Sequence, residues 1–484
     1  MDEMSTAPQH PWRRRTLAAT AVLACLLLTA CATQTAGLNA PQAGNAQVPG
    51  QFQYAAAPAS TARSVALDDA WWKGFNDPVL NNLIDQALAR NTDLAVAALR
   101  VRQAQLQLQQ SESDRLPSFS GNVSANASRR IGESQPTTRS ASASVGASWE
   151  LDLWGRLSAQ RDAAQWEAAA TEEDRRAVAL SLVGTTATLY WQLAYLDQQV
   201  DTAKQSLAYA RKTLDLVLAQ RQAGSVSGLE EAQARQSVLA QEASLSQLVQ
   251  QRVVVRQSLA LLLDEPSQNA DAVLPKPQWP ATPWPELSPG LPAEVLSRRP
   301  DLRAAEARLR GSFANVDVTR ASYYPTFTLN GSVGGSSQSL SNVLANPVGT
   351  LGAALALPFL NWGTMQRNVA ISQAQADAAV LDFRKTLYQA LADVDAALSA
   401  QTQLLRQAQS QNDRLVQARK VEQLTELRYR SGADPLKTWL DAQESRRQAE
   451  LAAAQVRYNQ LDNWVALVQA LGGGTTPPGE KAPS

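Results

Sequence analysis

The chain is poor in the residues that do chemistry. Its 484 residues include one histidine, two cysteines and three methionines. It has no excess of either charge: Lys plus Arg and Asp plus Glu are both 44. That balance offers no basic field for nucleic acid and no acidic run for a disordered tail. GxSxG, a Gly-rich phosphate loop and HExxH are all missing, which removes the common nucleophile, nucleotide and zinc-protease signatures.

The single His10 and one of the cysteines, Cys25, fall in an N-terminal segment that reads as a targeting peptide. Arg13, Arg14 and Arg15 are followed by an apolar run over residues 17–28. The run is too short to span a membrane and ends in Leu28-Thr29-Ala30-Cys31. Small residues before a Cys at that place resemble a bacterial lipobox. On that reading residues 1–30 are a lipoprotein signal peptide, and Cys31 carries the lipid, palmitate included. The alternative is an ordinary small-residue cleavage site beside a Cys. Ala32 in place of Asp resembles lipoproteins sorted to the outer membrane. Cleavage before Cys31 would leave no His and one acylated Cys. Disulfides, His/Cys metal sites and His-based acid-base chemistry would all be excluded. The expectation is a protein that is not an enzyme and has no cofactor.

What the chain does have is itself, twice. Asp93 in NTDL matches Asp301 in RPDL, an offset of 208. The same offset relates Pro117 to Pro325, Trp154-Gly155 to Trp362-Gly363, and Gly224 to Gly432. Leu259 and Leu263 match Leu467 and Leu471. A period this long marks a tandem duplication of one architecture, not a solenoid.

Each half reads as helix, strand, strand, long helix, shorter helix. In the first half, Leu80, Leu83, Ile84, Ala87 and Leu88 predict a helix over 79–112. Alternation predicts strands beginning after Pro117 and over 140–152, with Phe119, Val123, Val145 and Trp149 on one face and Ser and Asn on the other. The second half repeats this in Phe327, Leu329 and Val333 against Thr326, Thr328, Asn330 and Ser332, and its second strand is expected over 351–359, with both faces more apolar. Proline-free helices follow over 156–222 and 365–430, each roughly 100 Å long. Their modest apolar seams suit helix partners rather than a globular core. The chain turns back at Gly224 and Gly432.

The expected organisation is a lipid-anchored tether over 31–68, a first repeat over 69–263, a proline-rich connector over 264–292, a second repeat over 293–473 and a disordered tail over 474–484. Four strands of about ten residues are long enough to cross a bilayer when tilted. Four cannot close a barrel, and open edges in lipid leave backbone groups unsatisfied. Three chains sharing one barrel would supply twelve strands.

At this point the motifs carry a resemblance. WWKGFNDPVLNNLIDQALARNTDL, SRRPDLRAAEARL, ASYYPTFTLNGSVG, LALPFLNWG and RYRSGADPLKTWLDAQESR are similar to those of the TolC-like outer-membrane factors, in the lipoprotein branch that serves tripartite efflux systems. The resemblance covers about residues 70–473. It implies a mainly α fold with a small β part: a homotrimer with a 12-stranded outer-membrane β-barrel, continued into the periplasm by an α-helical coiled-coil barrel with an equatorial collar. It implies a passive exit duct for drugs or other small molecules in the outer membrane of a Gram-negative bacterium. The implied partners are a periplasmic adaptor and an inner-membrane transporter of the RND type. Type I secretion is a narrower alternative. A structural periplasmic coiled-coil lipoprotein or adaptor is an alternative of a different class.

A duct needs a wall, a gate and docking grooves. The resemblance places the periplasmic gate beside the tip turns at Gly224 and Gly432. It matches Asp441 to a carboxylate that forms a ring across the pore, and Glu230 to its repeat partner. A ring of like charges in a constriction attracts cations and repels anions. Lys437 departs from the family pattern, which often has an apolar residue there. It stands four residues before Asp441, on one helix face, where it can neutralise the ring. Tyr429, Arg428 and Arg430 resemble the family's latch residues. Solvated helix charge is the plain alternative for all of these. Pro117, Pro325, Trp154 and Trp362, with Trp149, are expected at the barrel junction, either packing the joint or sitting at the membrane interface.

Overall fold

The computed structural model describes residues 48–54, 70–129, 131, 136–280, 284 and 297–473. Cys31, the signal peptide 1–30, most of the tether 31–68, the connector over 285–292 and the tail 474–484 lie outside the described residues. The described residues belong to one compact unit.

Helix α1 (Pro78–Arg90) and α2 (Thr92–Ser113) lead into strands β1 (Ser118–Ser128) and β2 (Thr138–Leu151). The long α3 (Arg156–Gln222) runs away from the strands, and α4 (Gly228–Leu262) returns. After a single turn, α5 (Ala270–Val273), the second half repeats the plan. It comprises α6 (Pro300–Ala321), β3 (Thr326–Ser337), β4 (Val348–Ala356), α7 (Trp362–Arg430) and α8 (Leu436–Ala470). The two long helices have 67 and 69 residues.

Two expectations need correction. The single helix over 79–112 is two helices, because Asn91 adopts an extended backbone (φ −60°, ψ 126°). Its side chain accepts from Leu94 N–H at 3.0 Å and donates to the Leu262 carbonyl at 3.1 Å. Asn is a strong N-cap, and here it starts a new helix at an angle fixed by α4. The Trp-Gly repeat is also imperfect. Gly155 takes a left-handed backbone (φ 72°) before α3, whereas Gly363 lies inside the first turn of α7.

The four strands form one antiparallel sheet in the order β1-β2-β3-β4. In the register, odd-numbered residues pair only with odd-numbered ones: Val123 with Ala143, Val145 with Val333, Phe327 with Leu355. One face therefore collects the large apolar side chains of all four strands, except Val348 at the start of β4. The other carries hydroxyls and amides that bond to one another, as Ser124 Oγ to Ser142 Oγ at 2.8 Å and Ser148 Oγ to Asn330 Oδ1 at 2.9 Å. The apolar face is bare: Phe119 is 79% exposed and Leu351 92%. Strands β1 and β4 are the two open edges.

The hydrophobic core sits elsewhere, where the turn Trp71–Phe75 and α1 dock on the middle of α3 and the ends of α4 and α8. Phe75 lies 4.8 Å from both the Trp191 and Trp464 rings. Such aromatic pairs add to area burial. Asp77 caps α1 by accepting from Val79 N–H, and also accepts from the Tyr190 hydroxyl at 2.7 Å. That hydroxyl in turn accepts from Gln278 N–H at 3.1 Å, drawing the start of the connector onto α3. Arg457 stacks over Trp279 and donates to the Pro280 carbonyl. By length and composition α3 contains a membrane-length apolar window, but most of that window is buried against these neighbours.

Candidate functional site

The tips form because the backbone can reverse there. In the first half Ser225 N–H donates to the Gln220 carbonyl and Gly224 N–H to that of Arg221. In the second half Ala433 N–H donates to Arg428 and Gly432 N–H to Tyr429. Every atom shifts by 208 residues, and both glycines are left-handed, at φ 75° and 76°. This is a helix end with crossed 6→1 and 5→2 bonds, which glycine favours because it has no Cβ.

Each turn is stapled by its own ion pair. Arg428 grips Asp434 through two bonds of 2.8 and 2.9 Å. Arg221 pairs with Glu231 in the other turn. Arg430 pairs with Glu426, one turn back on α7, at 2.7 Å.

Tyr429 is buried, and its surroundings explain why. Its ring stacks on Trp439 at 5.1 Å, and its hydroxyl donates to Gln220 Oε1 at 2.7 Å. Gln220 belongs to α3, so this bond joins the two halves at their tips. A second tie runs beside it: the Tyr209 hydroxyl of α3 donates to Glu426 Oε2 of α7 at 3.1 Å, and its ring meets Trp439 edge-on. Burial, with Glu426 and Glu422 close by, pushes the Tyr209 phenol up to about 12. Gln220, Tyr209 and Glu426 carry no motif in the sequence, and Trp439 lies inside RYRSGADPLKTWLDAQESR without a role assigned from it. The signal available there was an indole and two phenols within reach of the tip turns.

Glu422 lies just above, buried, in an ion pair with Arg446. Burial raises its carboxyl above the usual range, and the Arg446 guanidinium opposes that rise.

Lys437 and Asp441 do come together. Nζ lies 2.9 Å from both carboxylate oxygens, and both side chains are exposed. Glu230 stands apart from them. It closes a capping box at the start of α4, accepting from the Ser227 hydroxyl and, at 3.0 Å, from Ser227 N–H; the hydroxyl bond first, then the backbone N–H groups, hold its carboxyl below the usual range. With the 208-residue offset, the counterpart of Asp441 is Gln233, and that of Glu230 is Thr438. The duplicated tips are therefore unlike in charge.

At the other end, Pro117 and Pro325 immediately precede β1 and β3. Trp154 Nε1 donates to the Pro325 carbonyl at 2.7 Å and its ring lies 5.4 Å from Tyr324. Trp149 Nε1 donates to the Arg115 carbonyl at 3.0 Å. These two indoles thus hold the strand-to-helix corners, while Trp362 is 59% exposed.

The family model for outer membrane efflux proteins matches residues 83–265 and again 291–473. Both ends of the two matches are 208 apart, as in the internal repeat. The chain is 37% identical over 459 residues to the pyoverdine export outer membrane protein OpmQ of Pseudomonas putida, covering 93% of this chain and 96% of that one. It is 30% identical over 408 residues to toxin and drug export protein A of Aggregatibacter actinomycetemcomitans, covering 84% and 89%. Its fold matches the open state of the Neisseria gonorrhoeae MtrE outer membrane channel with TM-score 0.76 at 27% identity, covering 90% of this chain and 98% of that one. A duplicated helical unit with a bare four-stranded sheet, matched by the family model over both halves, settles the assignment: the chain belongs to the outer membrane efflux protein family.

Proposed function

We propose that this outer-membrane efflux channel works as a homotrimeric exit duct for small molecules, fed by a periplasmic adaptor and an inner-membrane pump of the RND type. The observation that carries the reading is the sheet. Its large apolar side chains, Val348 excepted, share one bare face and its two edges are unpaired. Lipid would cover the face, and only neighbouring copies can satisfy the edges at membrane depth. Three copies make twelve strands, an even count suited to an outer-membrane barrel. A lipid on Cys31 would anchor the tether. Nothing in the duct's task calls for a catalytic group.

The tips supply the gate in this reading. The Tyr429–Gln220 and Tyr209–Glu426 ties hold the helix pairs together, and Asp441 faces the constriction with its charge compensated by Lys437. Cargo of the siderophore or drug class is supported by the relatives named for pyoverdine export and for toxin and drug export.

The test is expression of the full chain in a Gram-negative host. The duct predicts an outer-membrane protein that runs as a heat-modifiable trimer, incorporates labelled palmitate at Cys31, and restores export only when an adaptor and pump are present. A monomer in the soluble periplasmic fraction would contradict it and favour the scaffold alternative.

A further inference from the structure

Charge is nearly absent from the sheet and its hairpins. From Ser118 to Trp149 the charged residues are Arg129, Arg130, Glu133 and Arg139, and from Thr326 to Asn361 there is none. Three arginines against one glutamate thus fall in one short segment, around the turn from β1 to β2. Helix α2 ends just before β1 and α3 begins just after β2, so this turn lies at the end of the sheet away from the long helices. In a channel that crosses the outer membrane, that end faces the outside of the cell.

Two of these arginines continue the apolar face. Arg139 lies in β2 opposite Ala127, and Arg129 follows Ser128, the last paired residue of β1. Both are odd-numbered, so the alternation puts them on the side of Val123, Ala143 and Val145 and not with the serines. With the ladder continued by one step they are diagonal neighbours, about 7–8 Å apart, close enough for two guanidinium groups to meet on one anion. Both are exposed, and neither has a carboxylate partner among the described residues. Glu150, the other charged residue of the strands, is already held by Arg156 at 2.8 Å. The loop from β3 to β4 lies close against β3, its Val343 carbonyl standing where a Cβ on Gly335 would be, and it brings no charge.

The depth agrees with a head-group contact. From Arg139 to Trp149 strand β2 advances ten residues, about 34 Å along the strand. At a tilt of 35–45° that is about 24–28 Å of height, against an apolar band of about 25 Å in outer-membrane barrels. The odd positions between them are Ala141, Ala143, Val145 and Ala147, all apolar. Trp149, near the helices, has the amphipathic ring suited to one membrane interface. Arg139 and Arg129 then stand at the other, level with the head groups of the outer leaflet. We propose that Arg129 and Arg139 form an outward-facing clamp for the phosphate groups of the outer leaflet's glycolipid, lipopolysaccharide. Guanidinium forks bind phosphate through paired hydrogen bonds, and their alkyl stems lie along the apolar face beside the acyl chains. Charge complementarity selects this occupant: two unpaired cations at one spot favour a phosphate monoester dianion over the single charge of a phospholipid diester. Cargo does not compete for the site, because it passes on the even-numbered face.

The clamp rests on the outer-membrane duct proposed above, and one experiment separates the two. The full chain is extracted from outer membranes, stripped of lipid in detergent and titrated with magnesium chelated. The probes are bisphosphorylated lipid A, dephosphorylated lipid A and phosphatidylglycerol. The unsubstituted protein should bind bisphosphorylated lipid A at least about tenfold more tightly than either other lipid, and Arg129→Ala with Arg139→Ala should abolish that preference. Added salt should weaken the binding of lipid A to the unsubstituted protein more than to the alanine pair. Arg129→Lys with Arg139→Lys keeps the charge without the fork and should bind lipid A several-fold more weakly than the unsubstituted protein. It decides the matter if the alanine pair does not assemble. Both variants should run as heat-modifiable trimers, which separates lost binding from lost folding. Lipid A affinity unchanged in the variants, or phosphatidylglycerol bound as tightly as lipid A, would overturn the clamp and leave the duct standing. An unsubstituted chain that does not fractionate with outer membranes would overturn both.

Discussion

The hydroxyl of Tyr429 donates to Oε1 of Gln220 across 2.7 Å, joining the end of one long helix to the end of the other. A hydrogen bond between the tips of two hairpins is well placed to decide whether they stay together. Tyr429→Phe removes the bond and keeps the stack on Trp439. A buried bond of this kind contributes about 1 kcal/mol. The expected outcome is a trimer of nearly normal thermal stability whose open probability in planar bilayers rises several-fold. Unchanged gating would remove the tie from the latch.

Lys437 neutralises Asp441 at 2.9 Å. The pair is exposed, so it adds little to stability. In the proposed gate its effect is on ions. Lys437→Ala should shift the reversal potential in a salt gradient toward greater cation preference with no change in melting temperature. Asp441→Ala should shift it the opposite way. Equal reversal potentials for all three proteins would place Asp441 off the conduction path.

Gly224 and Gly432 have open space where a Cβ would stand, so substitution meets no clash, only their positive φ. Ala at either site should cost about 1–2 kcal/mol through that backbone alone. Melting curves should show similar losses at the two sites. A loss at one site only would mean that the two turns are not equivalent.

Burial raises the Glu422 carboxyl above its usual range. The folded chain then holds that proton more tightly than the unfolded chain does. Stability from this group therefore grows as pH falls through its raised folded value, and is lost as pH rises again. The window opens at the ordinary glutamate range and extends upward from it. Glu422→Gln should flatten the rise in melting temperature between pH 7 and pH 5. A slope identical to that of the parent would assign the pH response to other groups.

Much of this architecture can be read from residue order. The 208-residue offset, the alternation in β1 to β3 and the proline-free runs can each be read locally, and the structure keeps them, while the last strand, expected over 351–359, runs from Val348 to Ala356 and ends before Pro358. Asn91 was less legible. Within a helical pattern it reads as tolerated, and only its bond to the Leu262 carbonyl, across the fold, makes it a break. The Tyr429–Gln220 tie was out of reach for the same reason, since it joins residues on different halves. Glu230 and Asp441 look alike in sequence because each follows a tip turn. The capping box separates them, as one carboxylate is taken up by its own helix start while the other stands a turn further on.

The central claim is that the odd-numbered face of the sheet meets lipid and the even-numbered face lines water. The direct measurement is a cysteine scan of the full-length protein in outer membranes with a membrane-impermeant maleimide, at Ser144, Val145, Ser332 and Val333. The duct predicts labelling at Ser144 and Ser332 and protection at Val145 and Val333. Equal labelling on both faces, or protection of the even positions, would contradict it.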